Sequence, residues 1–516
     1  MMNNQFAEYQ NIPKEKFEFA NKGEKIHDQK LNTKPIGYFK DAWIRFRKNK
    51  SSVVASLIII LLVIFALLVP MLSNYTIAHR DGYYKTVLPR SKFFAQFGIW
   101  DGTKERVEPL AGYDYYSAIG VENGKPAIVG DVVESVDASG TANYTFKVDT
   151  YNQVGFVYLS LSEAEYLALQ EYQNENNIQV MYPIPKTYKT NFVLGNGGAN
   201  LWYKLKNERL ESTGEAKRDK DGNLVANYMT GVKNRANYES LRIEGDDGGA
   251  NGKSWYVYAV KNQSGYKVRV DYEEYYIYMN GFEPNYLFGT NTYGQDILIC
   301  LAQGARLSLL LAILVSAINL TLGTIYGAIE GYYGGAIDMI MERISDILAS
   351  VPFIVVATLF QLHLAEKVGA LPSLLFAFVF TGWVGMASRV RMQFYRFKGQ
   401  EYILAARTLG AKDGRLMFKH IFPNSIGTII TGSVLAIPGV IFSESMLSYL
   451  GIVSLETSST MTSVGTMLSQ GQGYLYTYPH IILFPAVFIA LLEISFNLFG
   501  NGLRDAFNPS LRGVEE

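Results

Sequence analysis

The residues of this chain whose types and spacing could do chemistry are concentrated in a charged stretch, residues 389–424, between two long apolar runs. Its acidic residues before His420 are Glu401 and Asp413. The basic residues over the same stretch are Arg389, Arg391, Arg396, Lys398, Arg407, Lys412, Arg415 and Lys419. Such an excess of Lys and Arg is typical of a loop that stays on the cytoplasmic side of a membrane.

A short helix with a small apolar face is predicted at the centre of this charged stretch. Gly410 is expected to end the helix, and Pro423 to begin the next membrane segment. The apolar positions at helical spacing are Tyr402, Ala405, Ala406 and Leu409. Because small side chains let another surface approach closely, the pattern indicates docking of a protein partner. On helical spacing alone, an ordinary cytoplasmic loop is the alternative.

Ionisable and polar side chains inside apolar segments form a second candidate set. Glu444 and Glu493 must face protein, water or a partner, because a charge within a bilayer is costly. Together with Asn497 and Trp383, they are the candidate residues of a substrate path that could attract a peptide N-terminus. The alternative for both glutamates is hydrogen bonding between helices near a membrane boundary.

Enzyme chemistry has little support in the sequence. No Ser/His/Asp set, metal-ligand cluster or pair of catalytic carboxylates stands out among the apolar segments, and the five histidines are scattered. The one cysteine, Cys300, rules out an intramolecular disulfide framework. The 47 basic and 47 acidic residues balance, which argues against a nucleic-acid binder. Neither a cofactor nor a metal is therefore expected in this chain.

Six apolar segments are expected to position these residues. The first, 53–72, carries no charge, and about 20 apolar residues cross ~30 Å of hydrocarbon. The others are 307–328, 337–364, 371–387, 426–450 and 479–499. Basic residues at 40–50 and at Arg504 and Arg512 place both termini in the cytoplasm.

A long polar region between the first two spans has the patterns of a folded α+β domain. Residues 144–148 and 155–161 alternate as strands do, and a capping box at Ser162 opens a helix that runs to about residue 175. Residues 255–260 and 266–272 are predicted to form a hairpin closed by residues 262–265. Since one crossing precedes it, this region is expected to be extracellular.

The predicted fold class is thus a polytopic α-helical membrane protein with six transmembrane helices and a large extracellular α+β domain between helices 1 and 2. The expected divisions are a cytoplasmic tail with a basic interfacial segment (1–52), helix 1 (53–72), the insert (73–286), the helical core (287–503) and a cytoplasmic tail (504–516).

Four motifs carry a resemblance to a known family. The loop reads EYILAARTLGA…KHIFPN, similar to the EAA loop of importer-type ABC permeases in the oligopeptide/dipeptide branch. Residues 289–308 resemble the branch's GTDxxGRDxxSRxxxGARxS, and residues 444–451 and 496–505 resemble its EASLSFLG and FNLLGDGLRD. Leu404 stands where the loop's name-giving glutamate is usual, and Glu401, one turn upstream, is the candidate replacement.

The resemblance implies a non-enzymatic permease subunit of an ATP-driven oligopeptide importer in a bacterial plasma membrane. Its implied partners are a second permease, two cytoplasmic ATPases that bind ATP and Mg, an external binding lipoprotein, the peptide and membrane lipid. The implied ATPase-coupling residues are Glu401, Ala405, Ala406, Gly410, His420 and Pro423.

Two alternatives stay open. A permease for dipeptides, nickel or other small solutes would share these motifs. A membrane-anchored receptor or enzyme, with residues 73–286 as its active part, would leave the 389–424 loop unexplained.

Overall fold

The computed structural model describes residues 37–137, 140–186, 198–206, 215–231, 238–239, 255–262, 265–455 and 461–507. The chain begins with two helices, α1 (Tyr38–Lys48) and α2 (Lys50–Leu72), which meet at Asn49. The Asn49 side chain accepts a hydrogen bond from the Ser52 amide and so caps α2. One side of α1, with Ala42 and Phe46, is buried against Ala506 near the end of the chain.

An α+β region follows. Its helices are α3 (Lys92–Ala95), α4 (Leu110–Ala118), α5 (Glu163–Asn176) and α6 (Tyr272–Asn280). Its strands are β1 (Thr103–Pro109), β2 (Ile128–Val136), β3 (Ala142–Asp149), β4 (Phe156–Leu161), β5 (Met181–Tyr182), β6 (Thr230–Gly231), β7 (Tyr238–Glu239), β8 (Trp255–Tyr256), β9 (Ala259–Asn262) and β10 (Gly265–Asp271).

These strands form separate antiparallel sheets. β3 lies between β1 and β2, while β10 lies between β4 and β9 and also pairs with β5. Residues of β4 and β10 point alternate side chains into an apolar core with Tyr166 and Leu169 of α5. Ser162 caps α5 in a full capping box with Glu165, as the sequence predicts.

The hairpin predicted over 255–272 is only partly right. β9 and β10 pair with Asn262 opposite Gly265. However, the first predicted strand is divided, because Trp255–Tyr256 pairs with β6 instead. Alternation of side chains cannot distinguish one long strand from two short ones that turn to different partners.

The rest of the described chain is helical. Its helices are α7 (Ile297–Tyr333), α8 (Gly335–Ala349), α9 (Phe353–Val368), α10 (Ala370–Gly382), α11 (Val384–Lys398), α12 (Glu401–Thr408), α13 (Asp413–Arg415), α14 (Phe422–Val434), α15 (Ala436–Tyr449), α16 (Val464–Gly471) and α17 (His480–Phe507). A π-helical turn, Leu416–Ile421, joins α13 to α14.

Five helical stretches of the described residues are long and apolar enough to cross a membrane, or six if a bent pair counts as one span. The five are Lys50–Leu72, Ile297–Tyr333, Ala370–Lys398, Asp413–Tyr449 and His480–Phe507. The bent pair is α8 and α9, which meet at 72°. The sequence predicts one span over 337–364 with Pro352 inside it, but Pro352 lacks an amide hydrogen and α9 begins directly after it.

The α+β region is tightly joined to the helical region at the turn before α7. Gly294 has a φ of +74°, and a Cβ there would lie 1.8 Å from the Asp81 carbonyl oxygen. Nearby, the buried Thr290 hydroxyl donates to the Tyr84 carbonyl at 2.6 Å and accepts from the Val87 amide at 3.0 Å. These contacts fix the chain that enters the α+β region against the chain that leaves it.

Candidate functional site

The helix α12 lies on the surface at the end of α11. Its last turn closes in a Schellman motif, in which the Gly410 amide donates to the Arg407 carbonyl and the Ala411 amide donates to the Ala406 carbonyl. Gly410 takes a φ of +84°, which glycine adopts without the strain that other residues meet. The motif fixes where α12 ends.

The outer face of α12 is apolar and open. Tyr402, Leu404, Ala405 and Leu409 are exposed, and Leu409 keeps 87% of its surface accessible. Glu401 is exposed beside them at the first turn. We call the set formed by Glu401, Tyr402, Leu404, Ala405 and Leu409 the α12 surface. A group of open apolar side chains on one helix, rather than a single one, is a candidate contact for another protein.

The inner face of α12 anchors it to the helical region. Ile403 is fully buried in a cluster with Phe394 of α11 and with Leu416 and Ile421 of the π-helical turn, and Ala406 packs against this cluster. The turn after α12 is also tied to the end of α7, because the Tyr332 hydroxyl donates to Asp413 at 2.6 Å and accepts from Arg407 at 3.3 Å. α12 is therefore held by α7, α11 and the π-helical turn together.

His420 and Pro423 are also among the implied ATPase-coupling residues. They lie one helical turn from each other, at the edge of the contacts that hold α12. His420 is half-buried in the π-helical turn, and Pro423 is exposed in the first turn of α14. Asn424 bridges the two elements, since its amide donates to the His420 carbonyl at 2.8 Å and to the Tyr402 hydroxyl at 3.2 Å. This bridge connects the start of α14 to the α12 surface.

One arginine joins three helices close to α12. The Arg391 guanidinium of α11 donates to both carboxylate oxygens of Asp338, at 2.6 and 3.0 Å, and to both of Glu342, at 2.7 and 2.9 Å. Glu330 of α7 lies 3.5 Å from the same guanidinium, and Tyr395 also donates to Asp338. We call Arg391, Glu330, Asp338 and Glu342 the Arg391 cluster. Paired two-point contacts of this kind hold both partners in a defined orientation.

The Arg391 cluster lies where α7 and α11 pack closely against each other. Gly323, Gly327 and Gly331 follow one another every four residues along α7 and face α11. A Cβ at Gly327 would lie 2.1 Å from the Ala387 carbonyl oxygen, and one at Gly331 would lie 2.6 Å from the Arg391 carbonyl oxygen. Small residues at this spacing let helix backbones approach closely within a membrane.

Glu444, the first candidate residue of a substrate path, is fully buried among hydroxyl groups. Its carboxylate accepts from Ser308 of α7 at 3.0 Å and from Ser448 of α15 at 3.1 Å. Ser445 donates to it at 3.4 Å. This geometry favours hydrogen bonding between helices, the alternative stated for this residue, because the carboxylate is enclosed by its partners.

The other three path candidates lie in different surroundings. Glu493 is half-buried on α17, and its Oε1 atom is buried with no hydrogen-bond partner among the described residues. Asn497 is exposed one turn later and donates to the Glu493 carbonyl at 2.9 Å. Trp383 lies at the junction of α10 and α11, with its ring 4.6 Å from that of Tyr326. The structure does not join these four residues in a single site.

Neither the Arg391 cluster nor the glycine spacing on α7 was predicted from the sequence. A signal existed for each: Asp338 and Glu342 lie four residues apart on one helix face, and the glycines repeat as GxxxGxxxG. Across the described residues, no group of three His, Cys, Asp or Glu side chains is arranged to hold a metal ion.

Two protein-family models match parts of this chain. Residues 319–513 match the family model described as "Binding-protein-dependent transport system inner membrane component". Residues 37–89 match the "N-terminal TM domain of oligopeptide transport permease C".

Two curated relatives come from Bacillus subtilis (strain 168). The chain is 43% identical over 225 residues to the oligopeptide transport system permease protein OppC. That match covers 44% of this chain and 72% of OppC. It is 39% identical over 226 residues to the dipeptide transport system permease protein DppC. That match covers 44% of this chain and 69% of DppC. Among solved structures, a chain of the inward-facing MetNI methionine ABC transporter aligns over 40% of this chain and 96% of its own, with 16% identity and a TM-score of 0.34.

Proposed function

Because this chain belongs to the family of binding-protein-dependent transport system inner membrane components, with OppC and DppC permeases as its relatives, we propose that it is a permease subunit of an ATP-driven importer of oligopeptides or dipeptides. Its relatives are permeases rather than enzymes, so ATP and Mg belong on separate subunits. The substrate class rests on the names of these relatives.

The observation that carries the proposal is the exposed α12 surface on a firmly anchored helix. Leu409 is 87% exposed, while Ile403 on the opposite side is completely buried. An apolar surface of this kind next to basic residues, in a loop expected to be cytoplasmic, fits docking into a cleft of an ATPase subunit. Glu401, exposed at the start of the same helix, supplies the carboxylate that the usual loop carries at the position of Leu404.

The Arg391 cluster transmits movement of the docked helix in this proposal. Arg391 belongs to α11, which leads directly to α12, and it binds carboxylates on α8 at four oxygen atoms. The close glycine contacts add α7 to the same unit. A displacement of α12 would therefore move α7, α8 and α11 together, which is the rigid-body type of switching found in alternating systems.

The complete importer requires other subunits. A second homologous permease completes the translocation path, two cytoplasmic ATPases drive it, and an external binding lipoprotein delivers the peptide. ATP must favour one conformation over the other, since a ligand that binds both equally shifts no equilibrium.

The proposed topology places the N-terminus and the α12 surface in the cytoplasm. The segment before α2 is rich in Lys and Arg, as is the loop around α12, and Arg504 and Arg512 follow the last apolar segment. Six transmembrane helices satisfy this arrangement if α8 and α9 cross the membrane as one bent span. The α+β region, residues 73–286, then lies outside the cell.

A substitution on the α12 surface tests the proposal. Leu409→Asp places a charge where an apolar contact is proposed, and Leu409 is too exposed for the change to disturb folding. Peptide-stimulated ATPase activity and peptide uptake of the reconstituted importer should both fall. Tyr476→Asp is the matched control, because Tyr476 is 97% exposed and lies just before α17 at its outer end. Wild-type activity of Leu409→Asp would refute docking through this surface.

A further inference from the structure

Residues 91–100 of the α+β region carry three open apolar side chains, two of them aromatic. Phe93 is 64% exposed, Phe97 is 69% exposed and Ile99 is 55% exposed. The first two belong to the turn of α3 and the residues that follow it, where the rings of Phe93 and Phe97 lie 5.7 Å apart. We call residues 91–100 the aromatic segment.

The aromatic segment is joined to the outer end of a membrane helix by a chain of ring contacts. The Trp100 ring lies 5.7 Å from Phe484 and 5.9 Å from Phe288, both edge-on. Phe288 and Phe484 stack on each other with their ring centres 4.1 Å apart. Phe94 lies 4.8 Å from Trp100 on the other side and 5.2 Å from Phe93.

These contacts place the aromatic segment beside the start of an apolar helix. Phe484 is one turn inside α17, which begins at His480 and is long and apolar enough to cross a membrane. The headgroup layer on each side of the hydrocarbon is about 5–7 Å thick. The ring centres of Trp100 and Phe484 are 5.7 Å apart, a distance comparable to the thickness of this layer, and the rings of Phe94 and Phe93 continue from Trp100.

Nearby apolar side chains are open in the same way. The outer end of α2, which packs beside α17, carries Met71 and Leu72, with 77% and 78% of their surfaces accessible. Lys92, next to Phe93, is 88% exposed on its side chain and lies 3.9 Å from Glu283. Aromatic rings beside a basic residue are typical of the boundary between headgroups and acyl chains.

We propose that the aromatic segment inserts into the boundary between the headgroups and acyl chains of the membrane, with Phe93, Phe97 and Ile99 in contact with lipid. The continuity of its rings with the end of α17 favours lipid over a protein partner. The segment would anchor the α+β region to the bilayer surface beside its own transmembrane helices. The leaflet concerned follows from the proposed topology, but the insertion does not depend on it.

Spin labelling of single cysteines tests this directly. The one natural cysteine, Cys300, is buried, so Cys300→Ala gives a background in which a new cysteine is the sole labelling site. A nitroxide label is placed by Phe97→Cys in the full-length chain, in nanodiscs of phosphatidylcholine and phosphatidylglycerol. Its collision rates are measured with oxygen, which concentrates in lipid, and with nickel ethylenediaminediacetate, which stays in water.

Two control positions calibrate the measurement. Ile60→Cys labels an exposed position in the middle of α2 and reports lipid, whereas Lys220→Cys labels an exposed polar turn of the α+β region and reports water. If Phe97→Cys does not fold, Ile99→Cys takes its place.

The proposal expects the label at position 97 to collide with oxygen more often, and with the nickel complex less often, than the label at position 220. Frequent collision with the nickel complex, equal to that at position 220, would show an aqueous position and overturn the proposal. Low collision with both reagents would show a protein contact, such as a second subunit, and would overturn it equally.

Discussion

The guanidinium of Arg391 and the carboxylate of Asp338 face each other through two parallel hydrogen bonds, one from Nε to Oδ1 at 2.6 Å and one from Nη2 to Oδ2 at 3.0 Å. The pair joins α11 to α8 across 53 residues of sequence. Because α11 continues into the anchored helix α12, this contact connects the proposed docking surface to the first half of the bent pair.

Replacement of Arg391 should therefore weaken both stability and coupling. Arg391→Gln leaves Asp338, Glu342 and Glu330 facing one another without the arginine. A loss of about 1.5–3 kcal/mol in folding free energy is expected for hydrogen bonds to charged groups. Thermal unfolding in detergent checks the stability, and peptide-stimulated ATPase activity checks the coupling.

An arginine on the surface provides the control for that experiment. Arg343 of α8 pairs with Asp346 at 3.0 Å, but both side chains are largely exposed. Arg343→Gln should change stability by less than about 1 kcal/mol. Equal effects of the two substitutions would contradict a special role for the Arg391 cluster.

Gly410 should tolerate asparagine better than valine. Its φ of +84° costs other residues roughly 1–2 kcal/mol, and asparagine meets the lowest penalty among them. Gly410→Val should loosen the end of α12, seen as faster amide hydrogen exchange over residues 406–411, and should lower peptide-stimulated ATPase activity. Gly414→Val, at a glycine without positive φ and with open space around it, should leave both unchanged. Identical exchange in the two variants would contradict the capping argument.

Glu444 offers a test that separates packing from transport. Glu444→Leu leaves the Ser308 and Ser448 hydroxyls without their acceptor and should destabilise the protein by about 1–3 kcal/mol. Glu444→Gln keeps an acceptor oxygen and should remain close to wild type in both thermal stability and peptide uptake. Full stability with lost uptake in Glu444→Gln would instead assign this residue to the substrate path.

The α+β region should be needed for uptake but not for insertion. Replacement of residues 88–283 by a short Gly/Ser linker keeps Tyr84, Val87 and Thr290. Hydrogen bonds among these three residues hold together the chain that enters the region and the chain that leaves it. Basal ATPase activity should persist, while uptake, or affinity for the binding lipoprotein, should fall. Wild-type uptake by this variant would show that the region has no part in transport.

Local features of the fold could be predicted from the sequence, whereas long-range ones could not. The family resemblance rests on motifs read directly from the chain, and the comparisons confirm it. The capping box at Ser162 involves residues three apart, so the sequence alone specifies it.

Features that depend on residues far apart in the sequence were harder to predict. The division of the predicted strand at 255–260 depends on its pairing with β6, some 25 residues away in sequence. The 72° bend after α8 was not predicted, because a proline within an apolar run shows where a helix can kink but not by how much. The Arg391 cluster combines three helices, and nothing in the local pattern says which basic residue of α11 meets Asp338.

The most direct measurement of the central claim is a cross-link from the α12 surface to an ATPase subunit. In the Cys300→Ala background, Leu409→Cys presents one accessible thiol on α12, and Tyr476→Cys presents one just before α17, at the end that the proposed topology places outside. The assembled importer is treated with a short thiol- and amine-reactive linker. The account predicts a covalent adduct between Leu409→Cys and an ATPase subunit, and none from Tyr476→Cys. An assembled, active importer that gives no adduct from position 409 would contradict it.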